Sequence, residues 1–219
     1  MNPHFLDHAR FNMVHQQINT WAVLDPQVLD VLAVVPREAF VPAAYAALAY
    51  ADTEVPLGHG AHMLAPRIQA QALNALDMKA HEKVLEVGTG SGYMAALLAA
   101  HADVVWSLEM VPELAALARD TLARAAVNNV TVLEGDGLAG LPAQAPFDAI
   151  MVSGALPALP QDLLAQLKVG GRLFAIVGEF PAMQARLVVR QDAEQFISTT
   201  LFETSAAYLR APAASAFSF

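Results

Sequence analysis

The sequence predicts a doubly wound α/β fold, with a mostly parallel sheet of seven strands, helices on both faces and further helices ahead of it. Three observations carry this. Short apolar runs at "KVLEV" (83–87), "VVWSLE" (104–109), "VTVLE" (130–134), "DAIMVS" (148–153) and "RLFAIVG" (172–178) stand among helix-like segments at 92–100, 112–125 and 160–168. Such alternation marks parallel strands joined by crossover helices. A glycine-rich turn follows the first run, at the carboxyl edge where such sheets bind ligands. After Gly178, "ARLVVRQ" and "FISTTLFE" follow each other with no helix between them, which adds two antiparallel strands at the sheet edge.

The remaining elements follow in chain order. "FLDHARFNMVHQQI" places apolar residues near helical spacing, and Asp25 followed by Pro26 caps a second helix before residue 35. Phe11, Met13 and Trp21 recur at that spacing and are read as core. Arg37 and Glu38 are read as a structural ion pair joining these helices to the core. The stretch from Pro36 to Pro66 is punctuated by prolines and reads as irregular, with a helix from Pro66 to Ala75. The expected organisation is one domain over 1–219: helices and a loop in 1–78, the α/β core in 79–180, antiparallel strands in 181–209 and a tail in 210–219.

Composition narrows the function. A chain of 219 residues suits one α/β domain that buries roughly 70% of its unfolded surface. Twelve basic against 21 acidic residues give a net charge of −9, and with a pI near 5.1 the field opposes polyanions, so nucleic acid is not expected as a partner. The absence of cysteine removes disulfides and thiolate catalysis and suits a reducing cytosol. No basic leader followed by an apolar run is present, and no apolar stretch approaches the roughly 18 to 20 residues of a spanning helix. A cytoplasmic protein without a membrane partner is expected.

The turn at 84–93, "VLEVGTGSGY", has glycines at 88, 90 and 92. A dinucleotide fingerprint would place its third glycine at position 93, where Tyr93 stands, so NAD is disfavoured. Glu86, two residues before the first glycine, would repel a pyrophosphate and favour a ligand with an ammonium group, as in S-adenosyl-L-methionine. Glu109 ends the second strand and is placed to accept from ribose hydroxyls. Asp136, in "EGDG" after the third strand, is placed to accept from an adenine amino group. Three acids after three successive strands, beside a glycine turn, point to a nucleoside cofactor without a metal. His59 and His62 in "HGAH" lack a third ligand nearby and make a poor metal site.

"LAVVPREAFVP" (32–42), "LGHGAHMLAP" (57–66), "KVLEVGTGSGYMAALLA" (83–99), "NVTVLEGDG" (129–137) and "APFDAIMVSGALPALP" (145–160) resemble the protein-L-isoaspartate O-methyltransferases, from about residue 12 to residue 178. The resemblance implies a Rossmann-like class I methyltransferase, a cytosolic repair enzyme that methylates isoaspartyl carboxylates in damaged proteins and releases S-adenosyl-L-homocysteine. It also implies a cofactor site at Glu86, Gly88, Thr89, Gly90, Gly92, Glu109 with Met110, and Asp136 between Gly135 and Gly137.

The departures lie on the acceptor side. Where the family carries a loop of the form "QTIS-x-P", this chain reads "AHMLAP", with His62 at the Thr position and Leu64 at the Ser position. The family's "RFVPL"-like segment is replaced by "LFETSAAYL". His62, Leu64 and Ser153, the last beside Gly154 after strand four, are the candidates for the acceptor side, and Asp52 is read as capping backbone amides of the loop. The acceptor carboxylate, with a pKa near about 4, arrives ionised, so alignment matters and no general base is needed. An isoaspartyl protein or peptide is the leading acceptor; a small molecule or other protein on the same scaffold, or cofactor binding without turnover, remain as readings that the loop at 58–66 separates.

Overall fold

The computed structural model describes residues 3–21 and 25–209, and the 210–219 tail lies outside them. Helix α1 (Pro3–Asn12) runs into a π-helical turn at Met13–Ile18, and α2 (Pro26–Val34) starts at Asp25, whose carboxylate accepts from the Gln27 amide at 2.8 Å. The wider π turn directs Met13, Val14 and Ile18 inward and leaves Phe11 and Trp21 half exposed, so of the three expected core residues only Met13 is buried. Phe11 rests on His15 instead, and Trp21 carries the Arg67 guanidinium on its ring.

The stretch expected to be irregular contains a small hairpin, β1 (Val55–Gly58) and β2 (Ala61–Met63), turned by Gly58, His59 and Gly60, all at positive φ. Strands this short, interrupted by Pro56 and two glycines, carry no readable alternation. Helix α3 (Pro66–Leu76) follows, then the alternating core: β3 (Lys83–Val87), α4 (Tyr93–Ala99), β4 (Val104–Glu109), α5 (Pro112–Arg124), β5 (Val130–Glu134), β6 (Phe147–Leu156), α6 (Gln161–Ala165) and β7 (Leu167–Glu179). Helix α6 is shorter than the expected 160–168 because Leu167 already pairs with Phe147 as the start of β7. Strands β8 (Ala182–Arg190) and β9 (Phe196–Thr204) complete the sheet.

The order is β5-β4-β3-β6-β7-β8-β9, parallel through β7 and antiparallel beyond, a doubly wound arrangement preceded by N-terminal helices. Because β3 through β6 run parallel in register, Val87, Leu108, Leu133 and Val152 line up and the chain leaves all four strands at one edge. One buried cluster joins Met13 and Ile18 of the N-terminal segment to Val84 and Val105 of the sheet. Arg172 locks the opposite edge, pairing with Glu82 and donating to the carbonyls of Leu76 and Asp77 at the end of α3. Among the described residues no helix is long and apolar enough to cross a membrane.

The expected Arg37–Glu38 pair does not form. Glu38 pairs with Arg10 at 2.8 Å and accepts from Tyr50. Arg37 is fully buried, donates to Gln69 and to the Leu64 carbonyl, and lies 5.1 Å from the centre of the Tyr93 ring. Burial pushes its guanidinium down to about 10, which leaves it charged at neutral pH.

Candidate active site

The carboxyl edge of the sheet opens into a cleft of about 390 Å³. Its floor is the glycine turn. The amides of Gly88 and Thr89 both donate to the Leu108 carbonyl, at 2.9 and 3.3 Å, which ties the turn to the end of β4. Gly90 holds φ +53°, and a Cβ there would come within 2.9 Å of Leu57 on the hairpin, so the β1–β2 hairpin closes directly over the turn. The Gly90 amide donates to Glu109 Oε2 at 2.8 Å and the Val111 amide to Oε1 at 3.0 Å. Two backbone donors therefore fix the Glu109 carboxylate at the cleft wall and leave it lone pairs for a ligand's hydroxyls.

Val87, Leu108, Met110 and Leu138 supply apolar walls, Asp136 lies at one end, and His59, His62 and Ser153 lie on the hairpin side and beside β6. Asp136 accepts from the Leu138 amide at 3.1 Å and so shapes the turn after β5. Gly137 is required by packing as well: a Cβ there would collide with Val87. Among the described residues no lysine or arginine lines the cleft, which suits a phosphate-free, cationic ligand and not a pyrophosphate.

Of the residues expected to bind a cofactor, Gly88, Gly90, Glu109, Met110, Asp136 and Gly137 line the cleft; Glu86, Thr89, Gly92 and Gly135 do not. Glu86 is fully buried behind the turn, where Oε2 accepts from Ser107 at 2.6 Å and Oε1 from Ser153 at 2.8 Å. The carboxylate expected to favour a ligand's ammonium is thus buried, and it borders a small inner pocket together with Gly88, Gly90, His62 and Ser153, which also line the cleft. Burial pushes it up to about 8 against the two serine hydrogen bonds, which pull the other way. Thr89 shares a 2.6 Å hydrogen bond with Ser107 and belongs to the same buried network. Gly92 packs against Leu122 and Ala118 of α5, and the Gly135 amide donates to the Glu109 carbonyl at 2.9 Å.

The acceptor-side candidates also divide. His62, opposite Pro56 in the hairpin, lines the cleft, and its buried Nδ1 has no hydrogen-bond partner. Leu64 is buried and borders only a small inner pocket beside Glu86. Ser153 lines the cleft while its hydroxyl donates inward to Glu86. Asp52 receives the Arg67 amide and side chain at 3.4 and 3.2 Å, consistent with its reading as a backbone cap.

Sequence reasoning missed the segment after β9. Ala207, Tyr208 and Leu209 return to the cleft, held by Ala155 N to Ala207 O at 2.9 Å and Leu209 N to Ala155 O at 3.0 Å. The Tyr208 hydroxyl donates to the Gly178 carbonyl at 3.2 Å, and Glu54 accepts from the Ala207 amide. A Cβ on Gly88 would collide with Leu209, so this segment reaches over the glycine turn itself. The only available signal was its position, where "LFETSAAYL" replaces the family's segment.

Comparisons with known proteins agree with this architecture. The family model described as protein-L-isoaspartate(D-aspartate) O-methyltransferase matches residues 8–210. A protein-L-isoaspartate O-methyltransferase from Methanoculleus marisnigri is 46% identical over 169 residues, 77% of each chain. One from Koribacter versatilis is 45% identical over 196 residues, 90% of this chain and 87% of that one. Among solved structures, a protein-L-isoaspartate O-methyltransferase superposes with a TM-score of 0.77 at 23% identity, covering 91% of this chain and 65% of that one. A putative one from Plasmodium falciparum, in complex with S-adenosyl-L-homocysteine, gives 0.77 at 21% identity and covers 94% and 98%.

Proposed function

This chain belongs to the protein-L-isoaspartate O-methyltransferase family, and on that premise we propose that it transfers the methyl group of S-adenosyl-L-methionine to isoaspartyl carboxylates in proteins. The observation that carries the cofactor is the Glu109 carboxylate, fixed by the amides of Gly90 and Val111 at the wall of a cleft that no described lysine or arginine lines. Glu109 takes the ribose hydroxyls, Asp136 the adenine amino group, and Leu108, Met110 and Leu138 flank the base. The cofactor, when bound, supplies an electrophilic methyl group on a sulfonium.

The acceptor needs alignment more than activation, since its carboxylate is ionised at neutral pH. Ser153 has its hydroxyl proton committed to Glu86. His62 lines the cleft, while its Nδ1 is buried out of reach of solvent and has no hydrogen-bond partner. We assign to His62 the hydrogen bond to the acceptor carboxylate that the family's loop hydroxyl would otherwise make; Leu64 is buried behind it, at the inner pocket beside Glu86. The role proposed with this activity is repair of damaged proteins in the cytoplasm, to which a cysteine-free chain is suited.

The test is transfer of labelled methyl to an isoaspartyl peptide and to its aspartyl counterpart. Label in the first and none in the second is expected. If neither is labelled while calorimetry shows the cofactor bound, the acceptor is another class of molecule on the same scaffold.

A further inference from the structure

A second groove, of about 450 Å³, lies between the start of α3 and the paired ends of β8 and β9. Arg67 stands on one side; Gln184, Glu203, Thr204 and Ser205 face it with groups that donate and accept hydrogen bonds. The Arg67 guanidinium is held from two directions. Its Nε is ion-paired with Asp52 at 3.2 Å, and its Cζ sits 4.2 Å from the centre of the Trp21 ring. Its two terminal nitrogens make no hydrogen bond among the described residues. A planar donor fork fixed at its base and unengaged at its tip is pre-organised for a carboxylate.

The groove lies close to the cleft along the chain. Ser205 lines the groove and Ala207 lines the cleft, two residues or at most about 7 Å of extended chain apart. A polypeptide with one residue in the cleft therefore brings its neighbours to the groove within a few positions. Among the described residues lining the groove Arg67 is the one cation and Glu203 the one acid; the Arg67 fork, ion-paired with Asp52 only through Nε, is the group that would attract an acidic flank locally against the chain's net charge of −9.

We propose that this groove holds the stretch of substrate polypeptide flanking the residue to be methylated, and that Arg67 binds an acidic side chain on that flank. The inference rests on the polypeptide acceptor proposed above. It makes Arg67 a specificity-determining residue that touches neither the cofactor nor the reacting carboxylate.

The experiment uses isoaspartyl peptides bearing one glutamate at positions one to four on either side, each matched to a glutamine version, with S-adenosyl-L-homocysteine present so that no turnover occurs. Trp106→Phe leaves Trp21 as the single tryptophan, and its emission reports events at Arg67; calorimetry on the unmodified protein gives the same affinities independently. At one or more positions the glutamate peptide is expected to bind roughly five- to tenfold tighter than its glutamine match and to shift the Trp21 emission. Arg67→Ala should erase that preference, Arg67→Lys should keep part of it, and cofactor affinity should stay constant in both. Equal binding of glutamate and glutamine peptides at every position, or a preference that survives Arg67→Ala, overturns the proposal. The two readings fail separately: a glutamate preference without methyl transfer keeps the groove and removes the isoaspartyl acceptor, and methyl transfer without the preference does the reverse.

Discussion

Glu86→Gln offers a quantitative test of the buried network under the glycine turn. Glu86 is fully buried, and burial raises its carboxyl to about 8 in the folded chain, against about 4.3 when unfolded. The sign follows from which state holds the proton. Between these values the folded state keeps it and the unfolded state releases it, so stability is complete below pH 4 and is lost as pH rises towards 8. From pH 6 to pH 8 the loss is on the order of 2 kcal/mol, since the slope approaches about 1.4 kcal/mol per pH unit while only one state is protonated. For a chain of this size that corresponds to a fall in Tm of roughly 4 to 8 °C. Glutamine is close in shape, can still hydrogen-bond Ser107 and Ser153, and does not titrate. Scanning calorimetry of both proteins at pH 6 and pH 8 isolates Glu86 as a double difference, in which every other titrating group cancels. The variant is expected to lose several degrees less than the parent between the two pH values. An identical fall in both would show that Glu86 is ionised in the folded protein and would refute its description as a desolvated acid.

Two further outcomes follow from the cleft. Glu109→Ala removes the carboxylate that the Gly90 and Val111 amides fix, together with the ribose contact assigned to it, and should weaken S-adenosyl-L-methionine at least tenfold by calorimetry; unchanged affinity would refute the assignment. His62→Ala should lower kcat/KM on isoaspartyl peptide roughly 2- to 10-fold, the range for one lost hydrogen bond, with cofactor affinity unchanged; part of the activity should return in a His62→Thr, Leu64→Ser double variant.

How far the sequence could be read depended on how local each feature is. Strands β3, β4, β6 and β7 were legible because central strands buried on both faces appear as apolar runs, and β5, at the sheet edge, was legible from its β-branched residues Val130, Thr131 and Val132. Gly88, Gly90 and Glu109 were legible because each sits at or just after the end of such a strand, and the parallel order alone brings strand ends together. The burial of Glu86 was not legible: being acidic and near the glycines suggests a ligand contact, while its surroundings depend on Ser107, its registered partner in β4, and on Ser153, 67 residues away. The π turn at Met13–Ile18 was invisible because the composition of a helix does not reveal a change in its hydrogen-bonding register.

The acceptor side was hardest to read for a structural reason. The proposed acceptor side joins the hairpin at His59–His62 and the segment Ala207–Leu209, two short pieces without periodicity, to Ser153 and Gly154 of β6 through tertiary contacts such as Ala155 with Ala207 and Leu209. The same separation has a functional consequence. Glu109 takes its backbone donors from Gly90 and Val111, and none of them comes from the hairpin, so substitutions at positions 62 and 64 remove no hydrogen bond from the carboxylate proposed to hold the ribose. A chain of this family can therefore exchange loop hydroxyls for His62 and Leu64 and keep its cofactor site. If the His62→Thr, Leu64→Ser variant altered cofactor affinity as strongly as it altered turnover, the two sides would be coupled through Leu57, the hairpin residue that meets Gly90.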